Sequence, residues 1–289
     1  MLRQWLLFLM LFLAPLPMVY ADQQLQAVFT QHAPIIDGSA LDPSWQHAPM
    51  VTTQDAVAHI PLQLKALYNK DRVFFLVRFP DATENRLHKN LIWNAKEKRY
   101  KSGPKREDTF VFKWSMDALP KPLSLSKGIH HKADIWYWKA DRTDHAGRAD
   151  DKQHFYSVEP LPRAQIIMDE KGQTRYLRRR GDKGEAAYQI VTVPAYQGDE
   201  IRGIIHKIPL GSRADVIAKG QWKDGFWTVE FARQLQTGHS DDLNFSTDLY
   251  YHFGVSRYEI AGRARNVQLE IPDYGSGDVG EVLTLRFLH

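Results

Sequence analysis

The feature that most constrains the fold is an alternation of apolar and polar residues with a period of two. In "DTFVFKWSM" (108–116), Phe110, Phe112 and Trp114 fall on one side of an extended chain. Successive side chains of a strand point to opposite faces, so the pattern predicts a β-strand. No segment shows the 3.6-residue period of a long amphipathic helix. The alternation recurs in residues 133–141, 187–196, 215–233, 248–260 and 282–289.

Two turn signals join such segments into hairpins. Residues 61–81 show two strand patterns separated by Asn69-Lys70-Asp71, and the second pattern is apolar on both faces. Asp224-Gly225 is a strong signal for a tight hairpin turn. Many short strands joined by Gly-, Pro- and Asp-rich turns are typical of a β-sandwich or barrel. The polar stretch from about 140 to 185 is interpreted as long surface loops inserted between core strands.

The first residues predict export. Arg3 precedes an apolar run from Trp5 to Ala14, and Val19 and Ala21 stand at the −3 and −1 positions of a small-residue cleavage site. This is the pattern of a secretory signal peptide, residues 1–21. The apolar run is shorter than the about 20 residues that cross a bilayer. We therefore expect a periplasmic protein with no membrane span after cleavage, in which residues 22–289 form one domain.

Composition excludes several classes of function. The chain has no cysteine, which excludes disulfides, thiol nucleophiles, iron–sulfur clusters and covalent c-type haem. A formal net charge of +4 does not favour nucleic-acid binding. The basic stretches 96–106 and 175–180 are solvated loops or, alternatively, a docking surface for an acidic redox partner. No motif of a hydrolase, metalloprotease or nucleotide-binding enzyme is present, so we do not predict an enzyme.

Four stretches together resemble a known family. "PIIDGSALDPSWQHAP" (34–49) carries an opening seen in sandwich modules related to certain carbohydrate-binding modules, and "LKALYNKDRVFFLVRFPDAT" (64–83) fits the hairpin that follows it there. "HKADIWYWKADRTDHAGRADD" (131–151) and "AKGQWKDGFWTVEFARQLQTGHSDD" (218–242) are more specific. These two are similar to the haem-binding domain of the ethylbenzene dehydrogenase γ-subunit type, also described as the cytochrome c-552/DMSO reductase-like haem-binding domain. The resemblance extends from about residue 33 to the C-terminus.

The resemblance implies a fold, a cofactor and a partner. The fold is an immunoglobulin-like or jelly-roll-like β-sandwich, similar to carbohydrate-binding modules, that holds one non-covalent haem b at the end of its sheets. Members transfer electrons as subunits of periplasmic molybdenum oxidoreductases or as exported cytochromes, so the expected partner is such a subunit or a cytochrome. Some relatives carry a second, covalent haem at a CxxCH, but the equivalent stretch here, 117–132, has no cysteine. The departure also raises the alternative that haem binding has been lost.

The same resemblance implies iron held by a Met sulfur on one side and by Lys or His on the other. Met116 ends a predicted strand, and Lys219 lies among apolar residues in "VIAKGQW", so we predict these two as axial ligands. A lysine must lose its proton to bind iron, which burial promotes. Gly220 allows a planar group to approach the backbone. Trp136 and Trp138, on one face of their strand, would line the macrocycle.

His252, in "LYYHFGV", is the alternative to Lys219, because imidazole is the commonest haem ligand. His130 and His131 occupy the stretch in which relatives hold the second haem. They are either exposed loop residues or a remnant of that site.

Two alternatives need no haem. A haem-free carbohydrate- or small-ligand-binding sandwich accounts for the "IIDGSALDPSW" opening and the eight tryptophans. A structural calcium ion beside Asp144, His145 and Asp150–Asp151 is the other, although no EF-hand spacing is present and we do not expect it first. Under the haem interpretation, Arg142, Asp150 and Asp151 are expected to organise the loop rather than to perform catalysis.

Overall fold

The structure, a computed structural model, describes residues 23–125, 129–169, 171–257 and 278–289. The predicted signal peptide lies outside these ranges. Within them the regular elements are strands and short 3₁₀ helices, the latter at Pro43–His47, Asp144–Ala146 and Ser212–Ala214. The strands are β1 (Gln24–Phe29), β2 (Val51–Gln54), β3 (Pro61–Tyr68), β4 (Arg72–Pro80), β5 (Leu91–Asn94), β6 (Arg99–Ser102), β7 (Thr109–Ser115), β8 (His131–Lys139), β9 (Asp150–Ser157), β10 (Gln165–Met168), β11 (Thr174–Gly181), β12 (Tyr188–Ile190), β13 (Glu200–Ile201), β14 (Ile204–His206), β15 (Ile217–Lys223), β16 (Phe226–Gln234), β17 (Tyr251–Ser256) and β18 (Leu283–Leu288).

One long sheet folds over on itself. Its strand order is β10-β11-β9-β8-β7-β17-β18-β1-β3-β4-β16-β15, with β2 beside β3. Strands β4 and β16 are distant from β7 and β8 in this order, yet their side chains meet. Phe75 lies 5.3 Å from Trp114 between ring centroids, and Trp227 lies 4.9 Å from Trp138. The two halves therefore pack face to face, which confirms the predicted all-β sandwich.

The inner face is built by the alternation seen in the sequence. Strands β7 and β8 pair so that Phe110 lies opposite Trp138, and Phe112 opposite Trp136. These four side chains are fully buried in the main core. Tyr137 points to the other face and packs in a separate small cluster. The period of two thus correctly predicted which aromatic residues share a side.

Both predicted hairpins are present. Strands β3 and β4 flank the turn at residues 69–71, and β15 and β16 flank Asp224-Gly225. Asp224 and Gly225 have φ angles of 52° and 78°. Two residues with positive φ are what a tight hairpin turn of this kind requires.

The prediction of long surface loops from 140 to 185 is wrong over much of that stretch. It contains β9, β10 and β11, and β9 is buried along most of its length. The sequence of β9 is DDKQHFYS, which has polar residues on both faces and therefore no apolar alternation. The predicted strand at 187–196 is reduced to the three residues of β12.

The N-terminal motif is held by one buried carboxylate. Glu230, on β16, accepts hydrogen bonds from the backbone N–H of Gly38 at 2.7 Å and of Asp37 at 3.1 Å, and from Nε1 of Trp45 at 2.7 Å. Gly38 has a φ of 83°, and a Cβ there would lie 2.7 Å from the backbone nitrogen of Gln221. Glu230 therefore holds the Asp-Gly…Trp motif against the outer side of β15 and β16; we call this set of hydrogen bonds the clamp.

Candidate functional site

Met116 lies where the sequence predicted, directly after β7 and half-buried. Its backbone N–H donates to the carbonyl of Lys132, near the start of β8, at 3.0 Å. Strand β17 runs antiparallel to β7, with Phe253 opposite Trp114, so β17 begins at the same end of the sheet. Met116 thus lies at one rim of the sandwich.

Lys219 lies on β15 and forms an ion pair. Its Nζ donates to the carbonyl of Asp144 at 2.9 Å and to Oδ2 of the same residue at 3.0 Å. Asp144 also binds Arg86 through Oδ2 at 2.8 Å. The lysine side chain is 36 % exposed. An ammonium group held by a carboxylate has no free lone pair for iron.

The two predicted ligands lie at opposite ends of β8. Met116 contacts Lys132 at its start, and Gly220, next to Lys219, packs on Trp138 near its end. Trp138 is six positions after Lys132 along the strand, which corresponds to about 20 Å. The structure does not bring Met116 and Lys219 to one iron.

The residues predicted to line the macrocycle belong to the packed core. Trp136 and Trp138 are 0 % exposed. A Cβ on Gly220 would lie 2.3 Å from the ring of Trp138, so the planar group that this glycine accommodates is the indole of the chain itself. Asp144 fixes that indole, because its Oδ1 accepts from Trp138 Nε1 at 2.9 Å and from the Gly220 N–H at 2.7 Å.

His252 is closer to Met116 but does not lie across from it. It is half-buried on β17, and its Nδ1 lies 3.1 Å from Oγ1 of Thr284. Strands β17 and β7 are hydrogen-bonded neighbours. Neighbouring strands are about 4.8 Å apart and leave no room for a macrocycle between them. His252 and Met116 are therefore not a pair of axial ligands in this arrangement.

The two loop histidines have different positions. His130 is exposed, whereas His131 begins β8 and is fully buried. The imidazole of His131 stacks on Tyr156 with ring centroids 5.0 Å apart. Burial, with the nearby Lys113, lowers the pKa of His131 to about 2. His131 is a neutral packing residue, so exposure is confirmed for His130 alone.

A cleft opens at the rim where β17 begins. It has a volume of about 250 Å³ and lies between the segment before β17 and the end of β18. Leu249, Tyr250 and Phe287 supply its apolar surface, and Arg286, His289, Asp248 and Thr247 supply polar groups, with His289 Nε2 3.7 Å from Asp248. The guanidinium of Arg286 lies 5.7 Å from the ring centroid of Tyr250. No motif in the sequence marks these residues, so the cleft could not be predicted.

The calcium site considered from the sequence is not formed. The carboxylate of Asp144 already accepts hydrogen bonds from Trp138, Gly220, Arg86 and Lys219. Asp150 binds Lys139 and Arg213 on the outer face of β9, while Asp151 points to the inner face opposite Trp136. The adjacent aspartates lie in a strand rather than in a loop, so they do not share one cation.

Comparison with known proteins identifies the family. A family model described as ethylbenzene dehydrogenase matches residues 37–266. The chain belongs to the ethylbenzene dehydrogenase family. The match covers most of the strands given above, including the two more specific stretches, 131–151 and 218–242. No curated protein matches the sequence of this family member.

Solved structures resemble the fold at low identity. A carbohydrate-binding module of family 9 from Caldicellulosiruptor kristjanssonii, in complex with cellotriose, has 9 % identity and a TM-score of 0.39, over 92 % of this chain and 93 % of that one. A putative carbohydrate-binding protein from Bacteroides uniformis ATCC 8492 has 9 % identity and a TM-score of 0.44, over 93 % and 100 %. These likenesses concern the fold alone. Among the described residues, no helix is long and apolar enough to cross a membrane.

Proposed function

We propose that this member of the ethylbenzene dehydrogenase family is an exported, periplasmic b-type cytochrome domain that binds one haem non-covalently and transfers electrons. Family membership supports an oxidoreductase context. The observation that carries the proposal is that Met116 and an open cleft lined by an imidazole, a cation and three large side chains lie at the same rim of the sandwich, although Met116 itself does not line the cleft. Its volume of about 250 Å³ is below the about 300–1,000 Å³ of typical ligand pockets, so binding requires the cleft to widen.

Met116 and the cleft residues lie at one end of the sandwich, whereas Met116 and Lys219 lie at opposite ends of β8. Met116 supplies a soft, neutral sulfur, a ligand type that raises the reduction potential of haem iron. Of the imidazoles at this end, that of His289 lines the cleft, with Nδ1 3.4 Å from the Tyr68 hydroxyl and Nε2 3.7 Å from Asp248, while that of His252 lies outside the cleft lining and is hydrogen-bonded to Thr284. We therefore propose that His289, rather than Lys219 or His252, would hold a haem together with Met116, after giving up its contacts with Tyr68 and Asp248. Arg286 is placed to bind a carboxylate at the cleft edge.

Bound haem would supply a one-electron couple, and the protein would set its environment. The buried ring of Phe287 would contact a group bound in the cleft, while Leu249 and Tyr250, which are exposed, would cover it from the solvent side. The redox partner is an oxidoreductase subunit or another cytochrome. Much of the basic stretch 96–106 is neutralised within the chain: Arg99 and Lys101 bind Glu97, and Lys105 binds Glu200. That stretch is therefore a weak candidate for docking an acidic partner.

The carbohydrate-binding alternative gains no support from the tryptophans. A sugar-binding platform needs exposed aromatic faces. Five of the tryptophans are at most 2 % exposed, namely Trp45, Trp114, Trp136, Trp138 and Trp227. Four of them form the main core of the sandwich, and Trp45 packs in a separate cluster on its outer side.

The test is a haem titration of purified protein, followed by absorbance. We expect saturation at one haem per chain and a low-spin spectrum. Met116→Ala should convert the haem to high spin, while Met168→Ala, at an exposed methionine on β10, should leave the spectrum unchanged. His289→Ala should act like Met116→Ala, and His252→Ala like the control. Failure to bind haem at all would overturn the proposal.

A further inference from the structure

Four aspartates converge inside the sandwich from four different segments. Asp134 comes from β8, Asp151 from β9, Asp182 from the end of β11, and Asp242 from the segment between β16 and β17. Asp134 and Asp151 are 0 % exposed, and Asp182 and Asp242 are 6 % exposed. Carboxylate oxygens of Asp134, Asp151 and Asp242 lie within 4.8 Å of one another. We call these four residues the buried carboxylate cluster.

The cluster is short of positive charge. Arg233, itself 1 % exposed, donates from Nη1 to Asp134 Oδ2 at 2.7 Å and from Nη2 to the carbonyl of Leu243. The backbone N–H of Leu243 also donates to Asp134 Oδ2, at 2.9 Å. One guanidinium thus faces four carboxyl groups. A buried carboxylate without a counter-charge is strongly destabilising.

The cluster also has oxygens without hydrogen-bond partners. Both oxygens of Asp151, Asp182 and Asp242, and Oδ1 of Asp134, are buried and make no hydrogen bond of good geometry among the described residues, although Thr237 approaches Asp242 and Asp151 approaches Asp182. These are seven acceptors pointing into one region. Buried polar atoms are nearly always paired in folded proteins, so this number of unpaired oxygens indicates missing partners. Two kinds of partner fit: a bound cation, or protons on the carboxyl groups, since burial raises the pKa of Asp151, Asp182 and Asp242.

We propose that the buried carboxylate cluster binds one calcium ion, which joins β8 and β9 to the segment between β16 and β17. Calcium is bound by six to eight oxygens at about 2.3–2.6 Å. Two oxygens on opposite sides of such an ion are about 5 Å apart, and the measured separations lie inside that limit. Magnesium demands a regular octahedron and retains several waters, which suits a closed, all-carboxylate cavity less well.

A cleft of about 180 Å³ lies on the outer side of Arg233; Arg72, Arg148, Asp215 and Thr237 also line it. His239 stands nearby, with Nδ1 2.6 Å from Asp215 and 3.9 Å from Asp242. Asp242 is the member of the cluster that contacts this more exposed group. The site lies beneath the ring of Trp136, on which Arg233 stacks at 4.7 Å, and is independent of the haem proposal.

The first experiment measures the metal content of the full chain, purified without chelator, by mass spectrometry of the elements. We expect about one calcium per chain. After exhaustive treatment with EDTA, the melting temperature should fall, and CaCl₂ at 100-fold above its dissociation constant should raise it by about 5–10 °C. MgCl₂ at the same concentration should raise it less.

Variants locate the ion. Asp151→Asn and Asp242→Asn should abolish the calcium-dependent rise in melting temperature. Asp71→Asn removes an exposed carboxylate elsewhere and should keep it. Absence of metal from the wild-type chain, together with equal melting temperatures in EDTA and CaCl₂, would show that the buried carboxyl groups are neutralised by protonation. That result would overturn the proposal. A magnesium response as large as the calcium response would contradict the calcium assignment.

Discussion

Asp144→Ala tests whether this carboxylate, rather than a cofactor, is what Lys219 and Gly220 bind. In the wild type, Oδ1 of Asp144 accepts from Trp138 Nε1 and from the Gly220 N–H, and both donors are buried. Each buried donor that loses its acceptor costs about 1–3 kcal/mol, so the substitution should lower the free energy of unfolding by about 2–6 kcal/mol. The lost ion pair with Arg86 adds little to this cost, because Arg86 is about one-third exposed and water replaces its partner.

Lys219→Ala is the matched comparison for the same ion pair. The lysine side chain is 36 % exposed, and Asp144 keeps Arg86 as a partner. The cost should therefore be about 0–1 kcal/mol. Urea unfolding followed by tryptophan fluorescence measures both variants. A cost below about 1 kcal/mol for Asp144→Ala, or a larger cost for Lys219→Ala than for Asp144→Ala, would refute this description of the network.

Three further predictions follow from buried contacts. Gly220→Ala should destabilise the fold by about 1–3 kcal/mol, because its Cβ would collide with the Trp138 ring, while Gln221→Ala at the exposed neighbour should be near neutral in thermal melts monitored by circular dichroism. Glu230→Ala should cost about 3–5 kcal/mol in urea unfolding, since three donors of the N-terminal motif lose one acceptor; an effect under 1 kcal/mol would contradict the clamp. The pKa of His131 is lowered to about 2 in the fold, below its ordinary 6.5; its contribution to stability is therefore complete above about pH 6.5 and is lost as the pH falls, by up to about 1.4 kcal/mol per pH unit. His131→Phe, which keeps the stacking on Tyr156, should reduce that slope in urea midpoints measured from pH 6.5 to pH 5.

The sequence predicted those parts of the fold that a local pattern encodes. The alternation of Phe110, Phe112 and Trp114 gave the correct strand and its inner face, and Asp224-Gly225 gave the correct turn. Strand β9 was missed, because Asp151 and its neighbours are polar on both faces. A strand can bury such residues only when charges from other segments surround it, and a local pattern does not contain that information.

The site was harder to predict for the same reason. The apolar flanks of Lys219 suggested burial, but its partner Asp144 is 75 residues away along the chain. The ligand pair rested on resemblance, and the length of β8 separates its two members. Met116 was correctly placed at a strand end, since the Asp-Ala-Leu-Pro break after it is a local signal. Convergence of Asp134, Asp151, Asp182 and Asp242 depends on tertiary contacts between four segments.

The most direct test of the central claim is the reduced-minus-oxidised absorbance difference spectrum of haem-saturated wild type and Lys219→Ala. A b-type cytochrome with its haem at the Met116 rim predicts a sharp low-spin spectrum that is identical in the two proteins, since Lys219 lies at the far end of β8 in an ion pair with Asp144. A colourless wild-type protein, or a conversion to high spin in Lys219→Ala, would contradict it.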